Sequence, residues 1–170
     1  AGGIGLNVTT PLKEEAWSLA SVRSRRSDLA KAANTLWFEK GEIACDNTDG
    51  IGLVRDLEQN LSFCLAGETV LLLGAGGAAR GVIPALLEAG VSKLLVSNRT
   101  DARAALLAGD YAKSGRVDVL KWGDDPEFRP NLIINATSAS LESELPNVAK
   151  TCIHPNVCCY DLMYSVSETP

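Results

Sequence analysis

The chain has 170 residues, 46% of them hydrophobic, 22% charged and 5% aromatic. That is the composition of one globular domain, or one and part of another, and it excludes disordered, collagen-like and disulfide-scaffold chains. Sixteen Lys and Arg against 21 Asp and Glu give a net charge of −5, which argues against a nucleic-acid or anionic-membrane partner.

Residues 4–9 read as a short strand. Pro11 suits the first turn of a helix, with Glu14 and Glu15 favouring its positive end, and that helix runs through Trp17, Leu19 and Ala20. The basic cluster Arg23, Arg25 and Arg26 reads as a solvated helix face. Residues 34–39 and 42–45 are two β-like runs joined by Lys40-Gly41, the signature of a hairpin. Asn47, Thr48, Asp49 and Gly50 offer capping groups to a helix in which Leu53, Val54 and Leu57 recur at helical spacing.

The texture changes near residue 61. Residues 69–73 form a continuous apolar run, as expected of a strand covered on both faces of a parallel sheet, and a glycine loop and a helix ending near Ala89-Gly90 follow. A second strand is expected at 93–97, a second helix at 102–113, and further strands at 117–120, 132–134 and 157–161. This alternation predicts a Rossmann-like, doubly wound α/β domain. Although residues 70–91 are largely apolar, Arg80, Glu88, Pro84 and several glycines interrupt them, so no membrane span is expected. The five cysteines (Cys45, Cys64, Cys152, Cys158 and Cys159) are odd in number and contain no Cys-x-x-Cys pair. Neither a disulfide framework nor a metal site is therefore expected, and reduced, mostly buried thiols fit a cytoplasmic protein. His154 is the single histidine; with no Gly-x-Ser-x-Gly elbow it reads as structural.

Gly74, Ala75, Gly76, Gly77, Ala78 and Ala79 directly follow the apolar strand and open a helix, the context that a Gly-x-Gly-x-x-Gly/Ala dinucleotide loop requires. Gly74 permits the turn, Gly76 lets backbone approach a pyrophosphate, and Ala79 keeps helix and strand close. An NAD site carries an acid about 20 residues further on. This chain instead has Asn98, Arg99 and Thr100, with Arg103 one turn later. Guanidiniums and a hydroxyl suit a 2′-phosphate, so the expected cofactor is NADP.

Reduction of a carbonyl needs a proton donor for the developing alkoxide. Two clusters could supply it: residues 7–13, ending in Lys13, and residues 46–50, containing Asp49. From spacing alone, a surface lysine and a helix cap are the plainer readings of these two side chains.

Taken in order, the chain carries Asn7-Val8-Thr9-x-Pro11-x-Lys13, Asn34-Thr35-Leu36, Asp46-Asn47-Thr48-Asp49-Gly50, the Gly74 loop, Asn98-Arg99-Thr100, Asn135-Ala136-Thr137-Ser138, and Tyr160-Asp161-x-x-Tyr164 running into Thr169-Pro170. This ordered set closely resembles the shikimate dehydrogenase family and extends over nearly the whole chain. The resemblance implies NADPH-dependent, reversible reduction of 3-dehydroshikimate to shikimate, a step toward the aromatic amino acids. Lys13 would be the acid/base beside Asp49, both also contacting substrate, with Thr9, Asn34 and Tyr164 as further substrate residues. Gly74, Ala75, Gly76, Gly77 and Ala78 would hold the pyrophosphate. Asn98, Arg99, Thr100, Asp101, Ala102 and Arg103 would hold the adenosine 2′-phosphate, and Thr137, Ser138 and Leu162 would line the nicotinamide pocket.

The resemblance also divides the chain. Residues 1–60 become part of an α/β catalytic lobe and 61–170 an NADP-binding lobe, so that the chain is expected to be an internal fragment, poorly active alone, of a full-length homodimeric enzyme. Three positions depart from the family pattern: Ser140 stands for a glycine, Arg25 for an acid and Cys45 for a glycine, the last read as packing. The alternatives are a quinate/shikimate dehydrogenase and a nucleotide-binding module without chemistry; Arg99 and Arg103 weigh against the first, Lys13 with Asp49 against the second.

Overall fold

A computed structural model describes residues 3–139 and 144–163. Its contacts separate two units, Ala1–Leu65 with Gly77–Ala89, and Ala66–Gly76 with Gly90–Pro170.

The first unit is built from β1 (Gly5–Asn7), α1 (Lys13–Leu19), β2 (Val22–Arg23), α2 (Arg25–Ala30), β3 (Thr35–Glu39), β4 (Glu42–Asp46), α3 (Asp49–Arg55) and α4 (Gly77–Glu88). Its sheet has the order β1-β3-β4-β2, antiparallel except for the β2–β4 pair. The expected hairpin is present: Lys40 and Gly41 both have positive φ (51° and 84°), the twist a two-residue connection needs. A core of small side chains, Val8, Ala16, Ala20, Ala33 and Cys45, is closed by Trp17, Leu36 and Ile43. Cys45 is fully buried, in keeping with a packing role. Beyond α3 the chain continues as a π-helical turn, Asp56–Asn60, which buries Leu57.

Two readings change here. Arg23, Arg25 and Arg26 are not one solvated helix face. Arg23 lies in β2 with its guanidinium 4.2 Å from the centre of the Trp17 ring, whereas Arg25 and Arg26 open α2 and pair with Glu88 and Asp46. Ser24 separates them because its hydroxyl caps α2, accepting from Ser27 N–H, so a strand ends where the helix begins. Nor are the thiols mostly buried: Cys45 and Cys152 are, but Cys64 and Cys159 are exposed.

The second unit carries β5 (Thr69–Leu73), β6 (Lys93–Ser97), α5 (Asp101–Asp110), β7 (Val117–Leu120), β8 (Leu132–Asn135) and β9 (Cys158–Asp161). All five strands are parallel in the order β7-β6-β5-β8-β9. The strand order turns outward in both directions from β5, which is the doubly wound arrangement. Val70, Leu72, Leu94, Val96 and Ile134 are fully buried, each contributing roughly 1.5–3 kcal/mol. On the alternate row, Leu71, Leu73, Leu95 and Ile133 pack with Cys152, Leu120 and Trp122. His154 hydrogen-bonds the Pro130 carbonyl at 3.0 Å, a structural contact as expected.

Candidate functional site

Lys13 is the first residue of α1, yet it is buried, with only 9% of its surface exposed. Its Nζ donates to Asp49 Oδ2 at 2.7 Å, and the two side chains are 11% and 23% exposed. The other carboxylate oxygen, Oδ1, accepts from Asn34 Nδ2 at 2.9 Å. An ammonium so far from water is tolerated only with a partner, since stranding one member of a buried pair costs about 3–5 kcal/mol.

Residues 32–34 hold these groups in register. Ala33 N–H donates to the Lys13 carbonyl (2.8 Å), and Ala32 O accepts from Asn47 Nδ2 (3.0 Å). Asn34 Oδ1 accepts from Thr48 N–H at 3.1 Å, while Asn47 Oδ1 accepts from Asp49 N–H at 3.0 Å. Asp49 is therefore not the cap of α3. It is the first helical residue, behind an N-cap Thr48 whose side chain makes no capping bond, and its own N–H is held by the buried Asn47, two residues back. Likewise Lys13 is not a surface lysine. Chain order alone places Asp49 36 residues from Lys13; the hairpin brings them together.

Asp46 anchors the start of this loop. Its carboxylate accepts from Ser24 Oγ, from Arg26 Nε and Nη2, and from Asn47 N–H. Burial pushes the carboxyl upward, but these hydrogen bonds outweigh it and hold Asp46 below the usual carboxylate value, while Arg26 is raised in turn, chiefly by its hydrogen bond to Asp46. Thr9 is exposed just before the cis Thr10–Pro11 peptide that leads into α1. Tyr164 and Ser140 lie outside the described residues.

The glycine loop meets the demands of a dinucleotide. Gly74 has φ +107°, and a Cβ there would stand 2.9 Å from Ala136 O, so both backbone and space exclude a side chain. Around Gly76 no atom would lie within 4 Å of a Cβ, leaving its backbone open to an approaching phosphate. Ala79 is fully buried, as close helix packing needs, and α4, opened by Gly77 and Ala78, has no acid in its first turn to oppose an anion. Beyond β6, Asn98 Nδ2 donates to Thr100 O (3.0 Å) and fixes the turn into α5, whose first turn holds Asp101, Ala102 and Arg103. Arg99 and Arg103 are exposed and make no ion pair among the described residues. Ser97 Oγ, at the end of β6, is buried and has no hydrogen-bond partner among the described residues. The exposed guanidiniums of Arg99 and Arg103 have the chemistry that suits a 2′-phosphate.

Sequence reasoning missed the part played by Asn135. Its Oδ1 accepts from Thr137 N–H (3.0 Å) and Thr137 Oγ1 (2.7 Å), and its carbonyl accepts from Leu162 N–H (2.9 Å). One residue thus joins the two segments carrying Thr137 with exposed Ser138, and Leu162. Its position at the C-terminal end of a buried strand was the available signal. Among the described residues no helix is long and apolar enough to cross a membrane, and no group of three or more His, Cys, Asp or Glu could hold a metal ion.

Comparison with known proteins converges on one family. The family model described as Shikimate / quinate 5-dehydrogenase matches residues 56–142. The NADP(+) shikimate dehydrogenase of Janthinobacterium sp. (strain Marseille) is 47% identical over 169 residues, covering 99% of this chain and 61% of that protein. Among solved structures, an Ael1 enzyme from Pseudomonas putida aligns with a TM-score of 0.87 at 42% identity, over 99% of this chain and 62% of that one. The shikimate 5-dehydrogenase of Thermus thermophilus, solved with NADP(H) and shikimate, aligns with a TM-score of 0.79 at 32% identity, over 95% of this chain and 59% of the other. The chain thus spans about three fifths of the length of the relatives it matches.

Proposed function

The chain belongs to the shikimate / quinate 5-dehydrogenase family, and from that membership we propose that the protein carrying it interconverts 3-dehydroshikimate and shikimate with NADP(H). The observation that carries the chemical part of this reading is the part-buried Lys13–Asp49 pair, 2.7 Å apart and steadied by Asn34. In the reductive direction the hydride for the carbonyl carbon comes from bound NADPH. Lys13 Nζ gives a proton to the carbonyl oxygen as it becomes an alkoxide, and recovers one from water. Asp49 keeps the ammonium in place and, with Asn34 and Thr9, accepts or donates hydrogen bonds to the ring hydroxyls. Such a donor contributes typically about 10²–10⁴-fold to rate.

On the cofactor side, the backbone around Gly74, Ala75, Gly76, Gly77 and Ala78 receives the pyrophosphate. Arg99 and Arg103, with Asn98 and Thr100, favour the 2′-phosphate over a bare ribose. Thr137, Ser138 and Leu162 are assigned to the nicotinamide end, and Tyr164 to the substrate. The test is a steady-state assay of the full-length protein with shikimate and quinate, each with NADP+ and NAD+. The reading requires shikimate with NADP+ to give the highest kcat/KM; a strong preference for quinate or for NAD+ refutes it.

A further inference from the structure

Helix interiors disfavour glycine, so a glycine there with ordinary helical φ calls for a spatial reason. Gly81, in the second turn of α4, is such a residue: its φ is not in the left-handed region, and it is buried. A Cβ at Gly81 would stand 2.9 Å from Asp49 Oδ2 and 3.1 Å from both Asn47 Nδ2 and Oδ1. The neighbouring helix is equally close, for a Cβ on Gly50 would lie 2.6 Å from the Gly81 carbonyl oxygen. Helices α3 and α4 therefore meet backbone to backbone, and the space left by the missing side chain at 81 is occupied by the carboxylate that holds Lys13.

We propose that Gly81 is a positioning residue for the Lys13–Asp49 pair. This rests on the reading of that pair as the proton-transfer groups. The atom nearest an added methyl is the end of a flexible side chain, Asp49 Oδ2, rather than backbone; the Asn47 amide, buried and bonded to Ala32 O and Asp49 N–H, would have to give by a few tenths of an ångström as well. Restoring ordinary contact, 3.4–4 Å, moves that oxygen by roughly 0.5–1 Å. The bond to Lys13 Nζ, now 2.7 Å, then lengthens or swings out of line. A misplacement of about 1 Å at a reacting group can cost about 10²-fold in rate. Gly81→Ala should thus leave the chain folded, at a modest cost shared by Asn47 and Asp49, and cost far more in turnover.

The experiment compares Gly81→Ala, Gly52→Ala and Asp49→Asn in the full-length protein. Gly52 lies on α3 with no atom within 4 Å of where an added methyl would sit, and serves as the control for changing a helical glycine. For Gly81→Ala the expected result is a fall in kcat of at least about tenfold, with the Kd for NADP+ and Tm close to wild type. Turnover within about twofold of wild type, a change in KM alone, or a collapse of Tm overturns the proposal; the last would make Gly81 a packing residue. Asp49→Asn separates the two levels. Near-normal turnover in that variant refutes the role of the pair itself, whereas its loss together with a fully active Gly81→Ala refutes the positioning role alone.

Discussion

Replacing Lys13 by methionine isolates its proton. Methionine keeps most of the aliphatic stem, which matters because a Cβ on Gly77 would lie 2.8 Å from Lys13 Cβ, so the lysine stem is packed hard against the first turn of α4. The substitution removes the ammonium that stands 2.7 Å from Asp49 Oδ2. A general acid is worth about 10²–10⁴-fold, equivalent to ~2.7–5.5 kcal/mol of barrier. In the full-length protein kcat for shikimate oxidation, followed by NADPH absorbance, should therefore fall at least about 100-fold, while the Kd for NADPH changes less than about threefold. Stability should fall by less than the ~3–5 kcal/mol of a stranded buried charge. Asp49 keeps Asn34 Nδ2 and its own capped N–H, and is 23% exposed, so water can reach it. We expect a loss of about 1–2 kcal/mol, read from denaturant unfolding. A variant that turns over at more than about a tenth of the wild-type rate would show that Lys13 is not the proton donor.

Three further outcomes follow from the same geometry. Asp46→Asn should lower stability at neutral pH by about 1 kcal/mol, a modest figure because its partner Arg26 is half exposed. Because the folded carboxyl is held below its ordinary 3.8, its contribution is complete above that value and is lost as pH falls through the folded pKa. The Tm of Asp46→Asn should therefore decline less steeply than wild type below about pH 4, and parallel curves would contradict the assigned hydrogen bonds. Replacing Arg99 and Arg103 together by alanine should weaken NADP+ by about 10–100-fold, the worth of one or two charged hydrogen bonds, and leave NAD+ nearly unchanged; an equal loss for both cofactors would remove the 2′-phosphate assignment. Gly74→Ala faces a φ of +107° and a contact of 2.9 Å with Ala136 O, so it should cost about 2 kcal/mol or more of stability. Unfolding in urea measures it, and a neutral result would mean that the loop relaxes freely.

What could be read from the chain, and what could not, follows the range of the forces involved. The strands Thr69–Leu73 and Lys93–Ser97 announce themselves because burial on both faces demands unbroken apolar runs. The hairpin is equally local, since two positive φ angles at Lys40-Gly41 are settled within the turn. By contrast, β2 has two residues and α2 six, too few for any periodicity to show. They exist because Ser24 caps one and Asp46, 22 residues on, fastens it. The misreading of Asp49 as a cap has the same origin. A cap is a local device, whereas the partner that gives this carboxylate its meaning is 36 residues away, and only the resemblance to a family could join them ahead of the fold.

The glycines of α4 show how two local patterns can hide one arrangement. The dinucleotide spacing explains Gly74, Gly76 and Ala79, and it leaves Gly81 without a reason. Positions 77 and 81 are four residues apart and so share a helix face. At the first, the absent side chain makes room for the Lys13 stem; at the second, for the Asp49 carboxylate. Gly77 accordingly has two claims on it, one from the helix terminus that suits an anion and one from the lysine beside it. On the proposed reading, the spacing of small residues along α4 answers to the Lys13–Asp49 pair as much as to the glycine loop, and an enlargement at 77 should disturb both where one at 81 disturbs Asn47, Asp49 and the pair alone.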